Sequence, residues 1–70
     1  MKVREAIKIA IQTQCGRHAA MAADTLRFNR RLNYEQKFGV FKLVADELGV
    51  PYDLADHDQL MYLADDAGSR

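Results

Sequence analysis

Residues 33–50 read NYEQKFGVFKLVADELGV, and this stretch contains the start, the apolar face and the end of one helix. Asn33 can accept from the backbone of Gln36, whose side chain can reach back, which is a capping-box pattern. Gly49, Val50 and Pro51 end the helix, because glycine suits the left-handed position and proline cannot continue a helix. Between these ends, apolar residues recur at helical spacing: Tyr34, Phe38, Phe41, Ala45 and Leu48, with Val40 and Val44 beside them.

Helical spacing also precedes this stretch. It predicts a first helix at about residues 2–15 and a second at about 17–29, with an alanine-rich face on the second. Gly16 either separates the two or lies within one helix over residues 2–28, because a glycine inside a helix costs only about 1 kcal/mol. Gly39 is expected to mark a close contact between two helices.

A further helix follows the proline. It begins at Asp53 or at Asp56, and Asp56 with Gln59 fits a capping box. We therefore predict a compact all-α bundle of three or four short helices, with one domain over residues 1–65 and a polar tail over 66–70. The predicted core comprises Ile7, Ile11, Leu26, Phe38, Phe41, Val44, Ala45, Leu48, Leu60, Met61 and Leu63.

Length and composition exclude several classes of protein. The chain has 70 residues, which allows one domain at most, and it has no run of 18 apolar residues that could span a membrane. No secretion signal is visible, so we expect a cytoplasmic protein. A chain this short buries only about 60% of its unfolded surface, so a homodimer is as reasonable an expectation as a monomer.

Charge is unevenly distributed along the chain. Residues 1–42 contain nine basic and three acidic side chains, a net charge of +6, whereas residues 43–70 contain one basic and seven acidic side chains, a net charge of −6. The acidic part can fold back onto the basic part, or one face can dock a partner of opposite charge. Both alternatives remain open at this point.

The sequence VADELGV at residues 44–50 resembles the first half of a helix-turn-helix motif. Ala45 is the small residue where two helices cross, and Gly49 follows four residues later in the turn, with apolar residues on both sides. The resemblance implies a helix-turn-helix-like corner over residues 41–60. The second helix of this corner begins with three aspartates and has no basic residue, whereas readout of the major groove favours basic and amide side chains. We therefore predict that the helix-turn-helix-like corner forms but that it does not bind DNA.

Two charged surfaces are candidates for partner binding. Arginine binds carboxylate and phosphate bidentately, and an exposed aromatic ring can stack on a base. The first surface, the basic edge, comprises Arg27, Phe28, Arg30, Arg31 and Lys37. The second surface, the acidic face, comprises Asp53, Asp56, Asp58, Asp65 and Asp66.

Residues that could carry chemistry are few. Cys15 and His18 stand three residues apart, but His57 is the only other histidine, and a structural zinc site takes four ligands. Cys15 is expected to be a small buried apolar residue, and both histidines are expected to be polar residues in the first turn of a helix. We predict no metal, no cofactor and no catalytic residue.

The functional expectation is a small helical protein that binds another protein as an adaptor or inhibitor. As a compact, cysteine-poor chain of one domain, the protein is similar in size and style to the small accessory and host-inhibitory proteins of bacteriophages. This resemblance implies that it inhibits a complex of the host cell. The alternative is a nucleic-acid-binding or transcription-regulatory protein that uses Arg27, Arg30 and Arg31.

Overall fold

The protein is an all-α bundle of four helices packed together, as the sequence predicts. A computed structural model describes residues 2–29 and 31–68, with side chains through Met61. The helices are α1 (Val3–Thr13), α2 (Arg17–Phe28), α3 (Tyr34–Leu48) and α4 (Leu54–Gly68). Each helix packs against the other three, and no strand occurs in the described ranges.

The chain breaks between α1 and α2, so the single helix over residues 2–28 is wrong. Gln14 takes the left-handed conformation with φ 52°, and the backbone N–H of Cys15 donates to the carbonyl of Ala10 at 2.9 Å. This is the closing hydrogen bond of a Schellman turn, which satisfies a carbonyl at the end of α1. Gly16 is the N-cap of α2, rather than the left-handed residue that ends α1.

The start of α2 is capped from α3. Gly16 has no side chain to offer, and a Glu47 carboxylate oxygen instead accepts from the backbone N–H of His18 at 3.1 Å. The same oxygen lies 2.7 Å from His18 Nδ1. A Cβ at Gly16 would overlap this carboxylate, and the φ of 118° is one that side-chain-bearing residues rarely adopt. The capping carboxylate and the glycine therefore depend on each other.

Helix α3 has the predicted ends. Asn33 Oδ1 accepts from Gln36 N at 2.8 Å, and Gln36 Oε1 accepts from Asn33 N at 2.9 Å, which completes the capping box. Gly49 is left-handed with φ 73°. The close helix contact predicted at Gly39 is wrong, because the residue is exposed and a Cβ there would meet no atom within 4 Å.

Helix α4 follows a connection over residues 49–53, at the position of the helix-turn-helix-like corner. Asp53 caps it, accepting from Asp56 N at 3.0 Å, so the alternative start at Asp56 is wrong. The capping box of Asp56 with Gln59 does not form, because Asp56 already lies within the first turn. Helix α4 extends to Gly68, into the tail predicted at 66–70, and residues 69–70 lie outside the described residues.

The core contains most of the predicted residues. Ile7, Ile11, Leu26, Phe41, Val44, Ala45 and Leu60 are buried, Phe38 and Met61 are half-buried, and the side chain of Leu63 lies outside the described part. Leu48 is 39% exposed, because it is the last residue of α3 and only a connection follows it. Cys15 is exposed rather than buried, because it lies in the connection after α1.

Candidate functional site

A buried histidine lies at the junction of α3 and α4. His57 is fully buried, whereas the sequence predicted only a polar residue in the first turn of a helix. Four aromatic rings surround its imidazole, with centroid distances of 4.3–5.9 Å. They belong to Tyr34, Phe38, Phe41 and Tyr52. Most of these rings meet the imidazole edge to face, an arrangement that aromatic pairs favour. The side chain is therefore part of the core.

Hydrogen bonds determine which nitrogen of His57 carries the proton. Nε2 lies 3.1 Å from the backbone carbonyl oxygen of Tyr34, which can only accept, so Nε2 donates. Nδ1 consequently accepts from the Tyr52 hydroxyl at 2.5 Å. Burial lowers the pKa of His57, and burial raises the pKa of Tyr52. Both groups are neutral at pH 7, with both imidazole nitrogens satisfied inside the bundle.

The opposite side of α3 is open. Helices α2 and α3 run antiparallel, since residues 29–33 join them at one end and His18 meets Glu47 at the other. Between them lies a shallow groove of about 60 Å³, too small for most small-molecule ligands. Apolar residues and one threonine line it beside a histidine: His18, Met21, Ala22, Thr25, Val40 and Leu43. The groove can accept apolar side chains of a partner.

Large apolar residues around this groove are exposed. Met21 is 55% exposed and Leu43 51%, and at the end of α2 the ring of Phe28 is 78% exposed. We call this surface the open face, defined by Met21, Phe28, Val40 and Leu43. Exposed apolar residues that occur singly are ordinary, whereas a group of them marks an interaction surface.

The described arginines of the basic edge, Arg27 and Arg31, lie with Phe28 at the end of the open face that contains the α2–α3 connection. The guanidinium of Arg27 is 6.0 Å from the centre of the Phe28 ring, a cation–π distance, and Arg31 is exposed. Lys37 is half-buried, and its charge acts on His57. Arg30 lies outside the described residues. Among the residues that are described, neither Arg27 nor Arg31 forms an ion pair.

The members of the acidic face have separate structural roles. Asp53 caps α4, and Asp58 accepts from the hydroxyl of Tyr34 at 2.7 Å, which raises the pKa of that tyrosine. Asp56 lies in the first turn of α4. The side chains of Asp65 and Asp66 lie outside the described part. Capping and hydrogen bonding account for Asp53 and Asp58 without a partner.

The described residues contain neither a metal-binding cluster nor a helix that could cross a membrane. No group of three His, Cys, Asp or Glu side chains is placed to hold a metal ion there. None of the described helices combines the length and apolar character needed to cross a bilayer.

No protein-family model, curated protein or solved structure matches this chain.

Sequence reasoning missed both the buried histidine and the open face. His57 precedes Leu60 by three residues, so the two share one face of α4, and this spacing was the available signal. Met21 lies off the alanine face of α2, and Leu43 lies off the apolar face predicted for α3. Apolar residues away from the core face were the signal for the open face.

Proposed function

We propose that this chain is a small non-enzymatic protein that binds another protein, as an adaptor or inhibitor, through the open face. The observation that carries the proposal is the exposure of Met21, Phe28 and Leu43, each more than half exposed along adjacent helices. Burying such side chains in an interface is favourable by about 25 cal/mol per Å² of apolar surface.

The basic edge extends the same surface. Aromatic and arginine side chains are enriched where protein interfaces carry most of their binding energy, and Phe28 with Arg27 offers that combination. The proposal assigns Arg27, Phe28 and Arg31 to contacts around the groove. Asp53 and Asp58 then serve the fold, with no part in binding.

The proposal includes no catalytic step. The buried titratable groups of the described core are His57 and Tyr52, and His57 is enclosed by aromatic rings rather than open to a cleft. A cytoplasmic location accords with Cys15, because that compartment keeps an exposed free thiol reduced.

A second candidate function is nucleic-acid binding at the basic edge. The observation in its favour is again Phe28, whose ring is 78% exposed beside Arg27. Bases stack on exposed aromatic rings, and unpaired arginines bind phosphates. Binding of this kind would weaken steeply with added salt, by about one logarithmic unit per phosphate contact for each tenfold rise in salt.

Affinity capture from a lysate of the source cell, with and without nuclease treatment, tests the proposal. Three tagged proteins are compared: the parent, the double variant Met21→Gln/Leu43→Gln and the control Leu54→Gln. Leu54 is 61% exposed but does not line the groove. We expect one protein to be retained by the parent and the control and lost by the double variant. Equal retention by all three would contradict the proposal, and loss of every partner on nuclease treatment would favour nucleic-acid binding.

A further inference from the structure

We propose that the occupant of the open face is an amphipathic helix of another protein, with acidic side chains at the end that meets Arg27 and Arg31. This inference rests on the proposed function and names the chemistry of the partner. It follows from the shape of the groove, from the charges at its two ends and from the poor fit of a second copy.

The shape of the groove suits a helix. The residues of α2 that line the groove run from His18 to Thr25, and the open face continues to Phe28, ten residues or about 15 Å from His18 at 1.5 Å per residue. An incoming helix covers that length in about three turns, and it presents apolar residues at positions i, i+3 or i+4, and i+7. The volume of about 60 Å³ is on the scale of one apolar side chain rather than of a whole ligand.

The two ends of the groove differ in charge. At one end Glu47 lies 2.7 Å from His18 and also caps α2, so that carboxylate already has partners. At the other end Arg27 and Arg31 form no ion pair within the described residues. Complementary charge across an interface favours the correct partner and its orientation. Carboxylates on the incoming helix at the Phe28 end would provide it.

A second copy of this chain fits the surface less well. In a two-fold dimer whose grooves run antiparallel, Arg27 and Arg31 of one copy would face the C-terminal end of α3 in the other copy. There Glu47 is already paired with His18, and Asp46 is paired with Lys42 at 3.3 Å. If the grooves instead ran parallel, arginines would face arginines. In the antiparallel arrangement the arginines meet carboxylates that already have partners, and in the parallel one each copy brings one exposed carboxylate, Glu35, against the two described arginines of the other.

A peptide-display selection against the full-length chain tests the inference. The probe is a library of randomised 16-residue peptides, and the selected peptides are measured individually by fluorescence anisotropy. We expect apolar residues at helical spacing and an excess of Asp and Glu near one end. We also expect binding to weaken at least tenfold with Met21→Gln/Leu43→Gln and several-fold with Arg27→Gln, while Leu54→Gln binds like the parent.

Each other outcome overturns a defined part of the account. Selected helical peptides without acidic residues, or binding insensitive to Arg27→Gln, would overturn the acidic partner and leave the proposed function in place. Peptides that bind Met21→Gln/Leu43→Gln as well as the parent would overturn the groove and the proposed function together. If sedimentation shows that the parent is a dimer and that the double variant is a monomer, the occupant of the open face is a second copy of the chain. Binding of a 12-nucleotide single strand that Arg27→Gln abolishes would replace the helix with nucleic acid.

Discussion

The two sides of α3 have different surroundings although they belong to one helix. On one side, Phe41 and Val44 are buried, and the Phe41 ring lies against the His57 ring of α4 with a centroid distance of 5.7 Å. Towards the groove, Val40 is half-buried and Leu43 is 51% exposed. Neighbouring residues of similar hydrophobicity, such as Leu43 and Val44, therefore have opposite environments.

This difference separates stability from recognition. The chain covers one side of α3 with its own helices α1 and α4 and leaves the other side accessible between α2 and α3. Apolar residues on the covered side stabilise the fold, whereas those on the open side can be buried only by another molecule. We therefore expect substitutions on the two sides to differ in their effect on folding.

The largest effect is expected from removing a ring on the covered side. Phe41→Ala should lower the free energy of unfolding by about 3–5 kcal/mol, because it leaves a cavity among packed aromatic rings. A loss of that size approaches the whole stability of a small domain. Urea denaturation followed by circular dichroism measures it. The matched control Phe28→Ala, at a 78% exposed ring, should change stability by no more than about 0.5 kcal/mol. Similar losses in the two variants would contradict the distinction.

A smaller effect is expected where α3 caps α2. Gly16→Ala should cost about 1–3 kcal/mol, because alanine is strained at φ 118° and its Cβ would displace Glu47. The control Gly39→Ala adds a methyl group to open space inside α3 and should stabilise the protein by about 0.5–1 kcal/mol. Thermal unfolding of both variants provides the comparison. A Gly16→Ala protein as stable as the parent would exclude the capping role of Glu47.

Acid should lower the free energy of unfolding through His57, which lies on the covered side of α3. The pKa of His57 is lowered in the folded protein by burial, so as the pH falls the unfolded chain binds this proton first. The stabilisation from neutral His57 is complete above about pH 6.5 and is lost as the pH falls through the folded pKa, by at most about 1.4 kcal/mol per pH unit. Urea midpoints measured from pH 7.5 to pH 5 should fall less steeply in His57→Phe than in the parent. Identical slopes would exclude His57 as the cause.

Much of the fold could be predicted from local signals. The capping residues Asn33 and Gln36 and the left-handed Gly49 act over a few residues, so their sequence pattern determines α3. The break before α2 was harder to predict, because the backbone N–H of His18 at the start of α2 is capped by Glu47 from a distant part of the chain. Burial of His57 likewise depends on Tyr34 and Tyr52 arriving from other segments.

The candidate site was harder to predict than the fold. The charge pattern predicted partner binding by Arg27 and Arg31, which are exposed. It also predicted partner binding by Asp53 and Asp58, which have structural roles. The groove depends on which face of α2 meets α3, and that orientation is a property of tertiary packing. Helical spacing identifies one apolar face per helix, but it does not show whether the remaining apolar residues have a neighbour.

The most direct test of the account is the urea denaturation of Met21→Gln/Leu43→Gln. Glutamine is close to methionine and leucine in helix propensity, so the double variant removes apolar surface and little else. We predict a free energy of unfolding within about 0.5 kcal/mol of the parent, whereas the adjacent substitution Val44→Gln should cost several times more, since Val44 is buried. A double variant that loses as much stability as Val44→Gln would show that both sides of α3 hold the fold, and it would contradict the open face.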